Sequence, residues 1–446
     1  IVATVPGGAA NVQDIYPLSP LQNGLLFHQL MAGKDFTYLH YNLMSFSDRG
    51  RLDAFVSALE AGIARHDIFR TAIVWEGLSE PVQVVWRQAP LIVEEVDLEL
   101  GDGDVVDHLI DCFDPLRCLL DLQQAPLMRL IVGEAQGNWF AAWPIHNLVD
   151  DYTSSNVFRA ERRVHLANKA EALQTPTPFR GFVARACHDL KVHEKDHENF
   201  FRRMLGDVEE PTAPFGLLEA VGAGSFARLG VGGDLGARLR ARARALGVGA
   251  ASLMHVAWGQ VVARTSGQQD PVFGTILFGR MAAGPGADRA MGLFINTLPV
   301  RLRLGEVGVE QSVRETHRLL AELLQHEHAP LLLAQRCSAL PAQTPLFSAL
   351  LNCRQSGWNA LPSDLKAVDV GQAEEGIRHL EYDERIYYPL FLEVDDLGSE
   401  FRLTVRAGEG IDPARICAMT HRALESLVEA LERTPNAPVG RLDVLT

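Results

Sequence analysis

The polar run with the most chemical potential is His146-Asn147-Leu148-Val149-Asp150-Asp151, directly after the apolar stretch Trp143-Pro144-Ile145. An imidazole at a strand end, followed by carboxylates in a turn, is one way to place polar groups in a cleft. The same residues also make an ordinary capped turn, in which Asp150 or Asp151 accepts backbone N–H groups. On residue chemistry alone the two readings stand level. A second candidate, His193-Glu194-Lys195-Asp196-His197, matches the HExxH pattern. On a helix its histidines share one face and the Glu can serve a metal-bound water. Lys195 and Asp196 fill positions that are apolar in a buried metal helix, and no third ligand follows at the extended spacing. The run therefore reads as a solvated helix face, and no metal site is expected.

Other chemistry is poorly supported. His326-Glu327-His328 at a helix end reads as complementing the helix dipole. There is no GxSxG, no GxxxxGK[ST] and no strand–GxGxxG–helix order. The six cysteines, Cys112, Cys118, Cys187, Cys337, Cys353 and Cys417, form no CxxC pair. In a chain of this length they read as free core thiols of a reducing compartment.

The elements that must position the first run follow from spacing. Ser19 caps a helix with Pro20 at its first position, running to about residue 31. Residues 41–47 read as a strand, 51–66 as an amphipathic helix, and 70–74 with 81–86 as a strand pair. A second strand pair, near 127–132 and 139–145, ends at the polar run, and a helix follows over about 154–168. Residues 169–180, with Thr175-Pro176-Thr177-Pro178, read as a linker. Beyond it the pattern predicts a long polar helix over 181–206, a helix capped by Asp234 and another over 250–265. Strands are expected at 272–278, 297–304, 346–353, 389–395 and 400–406, with a helix over 311–327 among them. Asp412 and Pro413 open a last amphipathic helix.

The chain has 446 residues and a net charge of −15, which argues against a nucleic-acid surface. Single cores rarely exceed ~250–300 residues, so about two lobes are expected. Leu127–Ile145, the most apolar stretch, is broken by Arg129, Glu134 and Gln136 and does not make a membrane span. The first residues lack a basic n-region and read as a cut inside a longer polypeptide. The expectation is a soluble, cytoplasmic protein.

Several segments, in order, resemble the core motifs of nonribosomal peptide synthetase condensation domains, from about residue 12 to the C-terminus. Tyr16-Pro17-Leu18-Ser19-Pro20-Leu21-Gln22 looks like the first motif and Arg65-His66-Asp67-Ile68-Phe69-Arg70-Thr71 like the second. His146 through Tyr152 occupies the place of the third, His-His-x-x-x-Asp-Gly. Phe179-Arg180-Gly181-Phe182-Val183 loosely resembles the fourth. Met291 through Arg301 resembles the fifth and His326 through Leu331 the sixth.

This resemblance implies an α/β (α+β) fold of two chloramphenicol-acetyltransferase-like lobes in a V, with a tunnel between them. The lobes would be residues 1–172 and 173–446. It implies carrier domains and adjacent synthetase modules as partners, whose phosphopantetheine arms present thioesters, and no cofactor held by the chain itself. In active relatives the second His of the third motif assists attack of an amine on the donor thioester. Here that position is Asn147, beside His146, and the Gly position is Tyr152. Asn has no titratable nitrogen, and loss of general-base help costs ~10²–10⁴-fold. Asp151 is retained as a structural residue, with Arg280 as its candidate partner. Asn296 and Cys353 join Tyr152 and Arg280 as loop or tunnel residues, Cys353 standing where an aromatic is expected. The degenerate motif favours a non-catalytic domain that recruits a tailoring enzyme to a carrier-bound amino acid. That enzyme would be an Fe(II)/2-oxoglutarate hydroxylase, as in siderophore assembly, or a cytochrome P450. The alternative is a working peptide-bond-forming domain that tolerates Asn147.

Overall fold

The computed structural model describes the chain apart from residues 33–37, 99–119, 221–223, 281–283, 285, 342–343, 356–360, 385–387 and 446. Cys112 and Cys118 lie outside the described residues; Cys187, Cys337, Cys353 and Cys417 are free thiols. In chain order the strands are β1 (Val12–Pro17), β2 (Leu39–Phe46), β3 (Thr71–Val74), β4 (Val82–Trp86), β5 (Ile92–Glu95), β6 (Arg129–Ala135), β7 (Asn138–His146), β8 (Ser225–Val231), β9 (Val272–Leu277), β10 (Asn296–Arg301), β11 (Ala349–Gln355), β12 (Ile377–Glu384), β13 (Leu390–Asp396) and β14 (Phe401–Ala407). The helices that matter below are α1 (Pro20–Ala32), α2 (Arg49–Arg65), α3 (Tyr152–Leu166), α4 (Arg180–Val192), α5 (Glu194–Leu205), α6 (Gly233–Leu246), α7 (Ala250–Ser266), α8 (Val309–Leu323) and α9 (Pro413–Arg433). The most apolar stretch of the sequence is thus the β6–β7 hairpin. Among the described residues no single helix is long and apolar enough to cross a membrane.

The chain divides into two compact units, each mixing strands and helices. The first takes residues 1–188, 280–294 and 361–385, and the second the remainder. The first unit holds a three-stranded sheet, β1-β4-β3, and a five-stranded sheet, β12-β2-β7-β6-β5. Its core lies between the larger sheet and helices α2 and α3. α2 starts at an Asp48 cap that accepts from Arg51 N–H, and buries Leu52, Phe55, Leu59 and Ile63 at helical spacing. Gly62 lets α3 approach closely, because a Cβ there would stand 2.1 Å from the Phe158 ring. Each such buried side chain contributes about 1.5–3 kcal/mol of apolar burial.

The second unit is built on a six-stranded sheet, β10-β9-β11-β13-β14-β8, in which β11 runs parallel to both neighbours. α7 is buried nearly all round, as a helix enclosed by a core must be. α9 begins at Asp412, whose carboxylate accepts from Ala414 and Arg415 N–H, with Pro413 at its first position.

Three local expectations are corrected. The polar stretch 181–206 is two helices, broken at His193 without a Pro or Gly. Asp234 lies in the first turn of α6, and the cap position is Gly232. The 154–168 helix begins two residues earlier, because Asp151 rather than a later residue caps it.

Candidate active site

The loop after β7 is fixed from three sides within the first unit. α1 supplies the first anchor. Ser19 and Gln22 form a reciprocal capping pair, Gln22 N–H to Ser19 Oγ and Ser19 N–H to Gln22 Oε1. The free end of the Gln22 amide then donates to Leu148 O at 2.8 Å, tying the helix start to the loop. Second, the loop closes on itself through His146. Its Nδ1 accepts from Leu148 N–H at 3.1 Å, so its Nε2 carries the proton and donates to Gln29 Oε1 at 2.8 Å. Burial, with a smaller contribution from His40, pushes the His146 imidazole down to about 3. This ring is a neutral strut, unfit to exchange a proton near neutral pH.

The third anchor is Asp151. It caps α3 through Ser154 N–H at 2.7 Å. Its Oδ1 also accepts from Arg280 Nη2 at 2.8 Å, and its Oδ2 from Phe294 N–H at 3.0 Å. Three donors on one carboxylate compensate its burial. Arg280 itself donates to the carbonyls of Ala287 and Ala290 and lies over the Phe294 ring at 3.9 Å. Ser154 completes the frame. Its hydroxyl donates to Gly292 O and accepts from Gly292 N–H and Arg280 Nη2. Gly292 has φ of 143°, and a Cβ there would meet the Phe179 ring at 2.3 Å. Only glycine fits that position.

Asn147 is half-buried at the head of the loop. Its N–H donates to Tyr38 O at 2.8 Å, and its Oδ1 lies 2.9 Å from His40 Nδ1. His40 Nε2 stands 3.3 Å from Asp150 Oδ2. Asp150 also accepts from the Ser155 hydroxyl. The structure thus brings together His146, Asn147, Asp151 and Arg280 and adds His40, Asp150, Ser154 and Gln29. Tyr152 opens α3 with its side chain exposed. Asn296 and Cys353 belong to the second unit. The Asn296 amide donates to the carbonyls of Glu327 and Ala329, and so holds the turn after α8. Cys353 is half-buried, and burial pushes its thiol up to about 12. It is no nucleophile at neutral pH.

The HExxH run spans the break between α4 and α5. No group of three or more His, Cys, Asp or Glu able to hold a metal occurs among the described residues. His193 is exposed at the helix break, but His197 is fully buried with its Nδ1 2.7 Å from His326 Nδ1. The expectation of a solvated face fails at His197.

Residues 12–446 match the model of the condensation domain. The chain belongs to the condensation-domain family of nonribosomal peptide synthetases. It is 45% identical over its full length to Malpinin synthetase of Mortierella alpina, of which it spans 6%. The chain covers under a tenth of the curated relatives it matches first. Among solved structures, the X-domain in complex with OxyB from teicoplanin biosynthesis superposes with a TM-score of 0.76 at 18% identity. That match covers 97% of each chain. A four-domain nonribosomal peptide synthetase, holo-AB3403, gives 0.76 at 16% identity, covering 97% of this chain and 34% of that one. The mixed α/β, chloramphenicol-acetyltransferase-like fold of condensation domains is therefore the fold of this chain.

Proposed function

We propose that this condensation domain joins carrier-bound substrates by acyl transfer, with Asn147 acting as a hydrogen-bonding residue in place of a base. The donor and acceptor would be thioesters on the phosphopantetheine arms of neighbouring carrier domains. The observation that carries this reading is the fully assembled loop: the Asp151–Arg280–Ser154 frame is intact, and Asn147 is held at its head by His40. That frame holds position 147 in one geometry, which chemistry there requires. The acceptor nitrogen bonds to the thioester carbon, the C–S bond breaks, and the surplus proton leaves with sulfur as the thiol. No side chain must keep that proton. Holding two thioesters together supplies up to ~7–11 kcal/mol of barrier reduction when geometry is ideal. An amide at position 147 adds hydrogen bonding to the amine or to the tetrahedral oxyanion.

One observation favours a second reading. Position 147 lacks a titratable group, and His146 is locked neutral. A domain of this kind would recruit a tailoring oxygenase, such as a hydroxylase of siderophore assembly, to a carrier-bound amino acid. The X-domain's complex with OxyB, on the same fold, is a precedent.

The test is single-turnover condensation with loaded donor and acceptor carriers, read by mass spectrometry of the acceptor. The expected result is dipeptide from the unmodified chain, about 10²-fold less from Asn147→Ala, and more from Asn147→His. No dipeptide from the unmodified chain, with turnover restored by Asn147→His, would establish the recruitment reading instead.

A further inference from the structure

One stretch of the first unit comes from far along the chain. Residues 361–385 belong to the first unit, while the residues on either side of them belong to the second. The stretch ends in β12, an edge strand paired with β2, so no other strand has to part for it to leave. Its ladder is already interrupted by a register shift between His379 and Glu381.

The apolar footing of this stretch is sparse. Leu365 and Ile377 are buried, and none of residues 366–376 is. Polar catches gather instead at the corner before β12. Ser47 N–H donates to Gly376 O at 2.9 Å, and the Arg51 guanidinium donates to Ala373 O. Glu374 Oε1 accepts from Arg162 Nη2 at 2.9 Å, and its Oε2 lies 3.2 Å from Arg163 Nε. His379 Nε2 stands 3.8 Å from Oε1. His379, then Arg162 and Arg163, hold the Glu374 carboxyl down to about 2.

The two arginines are unequal partners. The Arg163 side chain is exposed and has water as an alternative. The Arg162 side chain is 2% exposed, and its guanidinium lies 4.7 Å over the Phe55 ring in the core. A guanidinium so placed needs an anion, and Glu374 is the one that reaches it. The Glu374 carboxylate is a quarter exposed, so water takes it up when the stretch lifts. The charge left behind in the core is what opposes lifting.

We propose that residues 361–385 act as a strap that lifts from the first unit and closes again without general unfolding, with Glu374 as its catch. Lifting bares the edge of β2. That strand and the residue before it hold the head of the 146–151 loop: Leu39 pairs with His146, and Asn147 N–H donates to Tyr38 O. The strap thus governs how firmly the loop is built, whatever reaction the loop serves.

The test is native-state hydrogen exchange of the whole chain in low urea, read by mass spectrometry of its fragments. In the unmodified chain, amides of residues 373–384 should exchange about tenfold faster than those of the β6–β7 hairpin, or more. Glu374→Gln should speed residues 373–384 by a further tenfold to hundredfold, roughly. Residues 39–46 and 146–151 should follow more weakly, and α7 should not change. Adding Arg162→Met removes the stranded charge and keeps the bulk. It should bring exchange back to within about threefold of the unmodified chain. Exchange of β12 in step with β6 and β7 in the unmodified chain would mean that the strap leaves only on global unfolding, and would overturn the proposal. So would a double variant as open as Glu374→Gln alone, since the catch would then not be the buried charge. The unmodified chain decides the first point even where a variant fails to fold.

Discussion

Among the histidines that each unit buries, His40 with His146 in the first and His197 with His326 in the second are arranged in opposite ways. In the first unit His40 and His146 do not bond to each other. His146 is tied off by Gln29 and its own loop, and His40 is set between an amide and a carboxylate. In the second unit His197 and His326 bond ring to ring, Nδ1 to Nδ1 at 2.7 Å, with Phe200 stacked on His326 at 4.2 Å. One of those rings must donate and the other accept, so the pair is stable only while it is not doubly protonated. Burial is the main cause that lowers the affinity of both for protons; His197 lowers that of His326 further, while Asp189 beside His197 and Glu322 beside His326 partly oppose the shift. The contrast separates a histidine set between an amide and a carboxylate from histidines that pack ring to ring. Only the first has a carboxylate within 3.3 Å; the nearest to His197 is Asp189 at 3.7 Å.

The largest test of this contrast acts on the frame beneath the first pair. Asp151→Ala leaves Arg280 buried without its carboxylate, and should cost about 3–5 kcal/mol in urea unfolding followed by tryptophan fluorescence. A cost below about 1 kcal/mol would mean that the loop is held by other contacts. Next is acid. His146 binds its proton at about 3 in the fold and near 6.5 when unfolded. Between those values the unfolded chain holds more protons, so stability falls as pH falls, by about 2 kcal/mol from pH 6.5 to 5. His146→Gln should remove that part of the slope in unfolding curves across this range.

In the second unit, His326→Phe should cost about 1–2 kcal/mol through the lost bond and the orphaned His197 nitrogen. It should also shallow the acid slope, because lowered proton affinity in the fold again means stability lost as pH falls below the unfolded value. An acid slope unchanged by this variant would remove the polar-packing interpretation. The smallest effect is expected at Tyr152. Its side chain is exposed at the first helical position, and Tyr152→Ser should change stability by no more than about 0.5 kcal/mol in the same assay.

How much of this was legible in the sequence depends on range. The motif series pointed to the family, and Asp151 and Arg280 were paired across 129 positions by resemblance to it; the two side chains meet at 2.8 Å. The helices of α2 and α9 followed from spacing and caps, which are local. Asp234 was misjudged because several residues near a helix start can cap it, and only backbone geometry at Gly232 decides. β12 carried no strand signal, since Arg378, His379, Glu381 and Asp383 hide any alternation. His40 was overlooked because a lone imidazole in a strand has no spacing signature. Its importance comes from the antiparallel register of β2 on β7, which brings it back to the loop from 107 residues away.

That same register has a consequence for how the chain is made. β2 takes β12 as its second neighbour, pairing Phe46 with Ile377. About 330 residues of polypeptide separate the two strands. At the usual 5–20 residues per second, synthesis needs roughly 15–65 s to supply the partner. Over that interval the nascent sheet presents β2 as a bare edge, able to pair with any passing strand. The first unit is thus begun first but cannot close until residue 385 has emerged, when most of the second unit is already made; its completion waits on the ribosome.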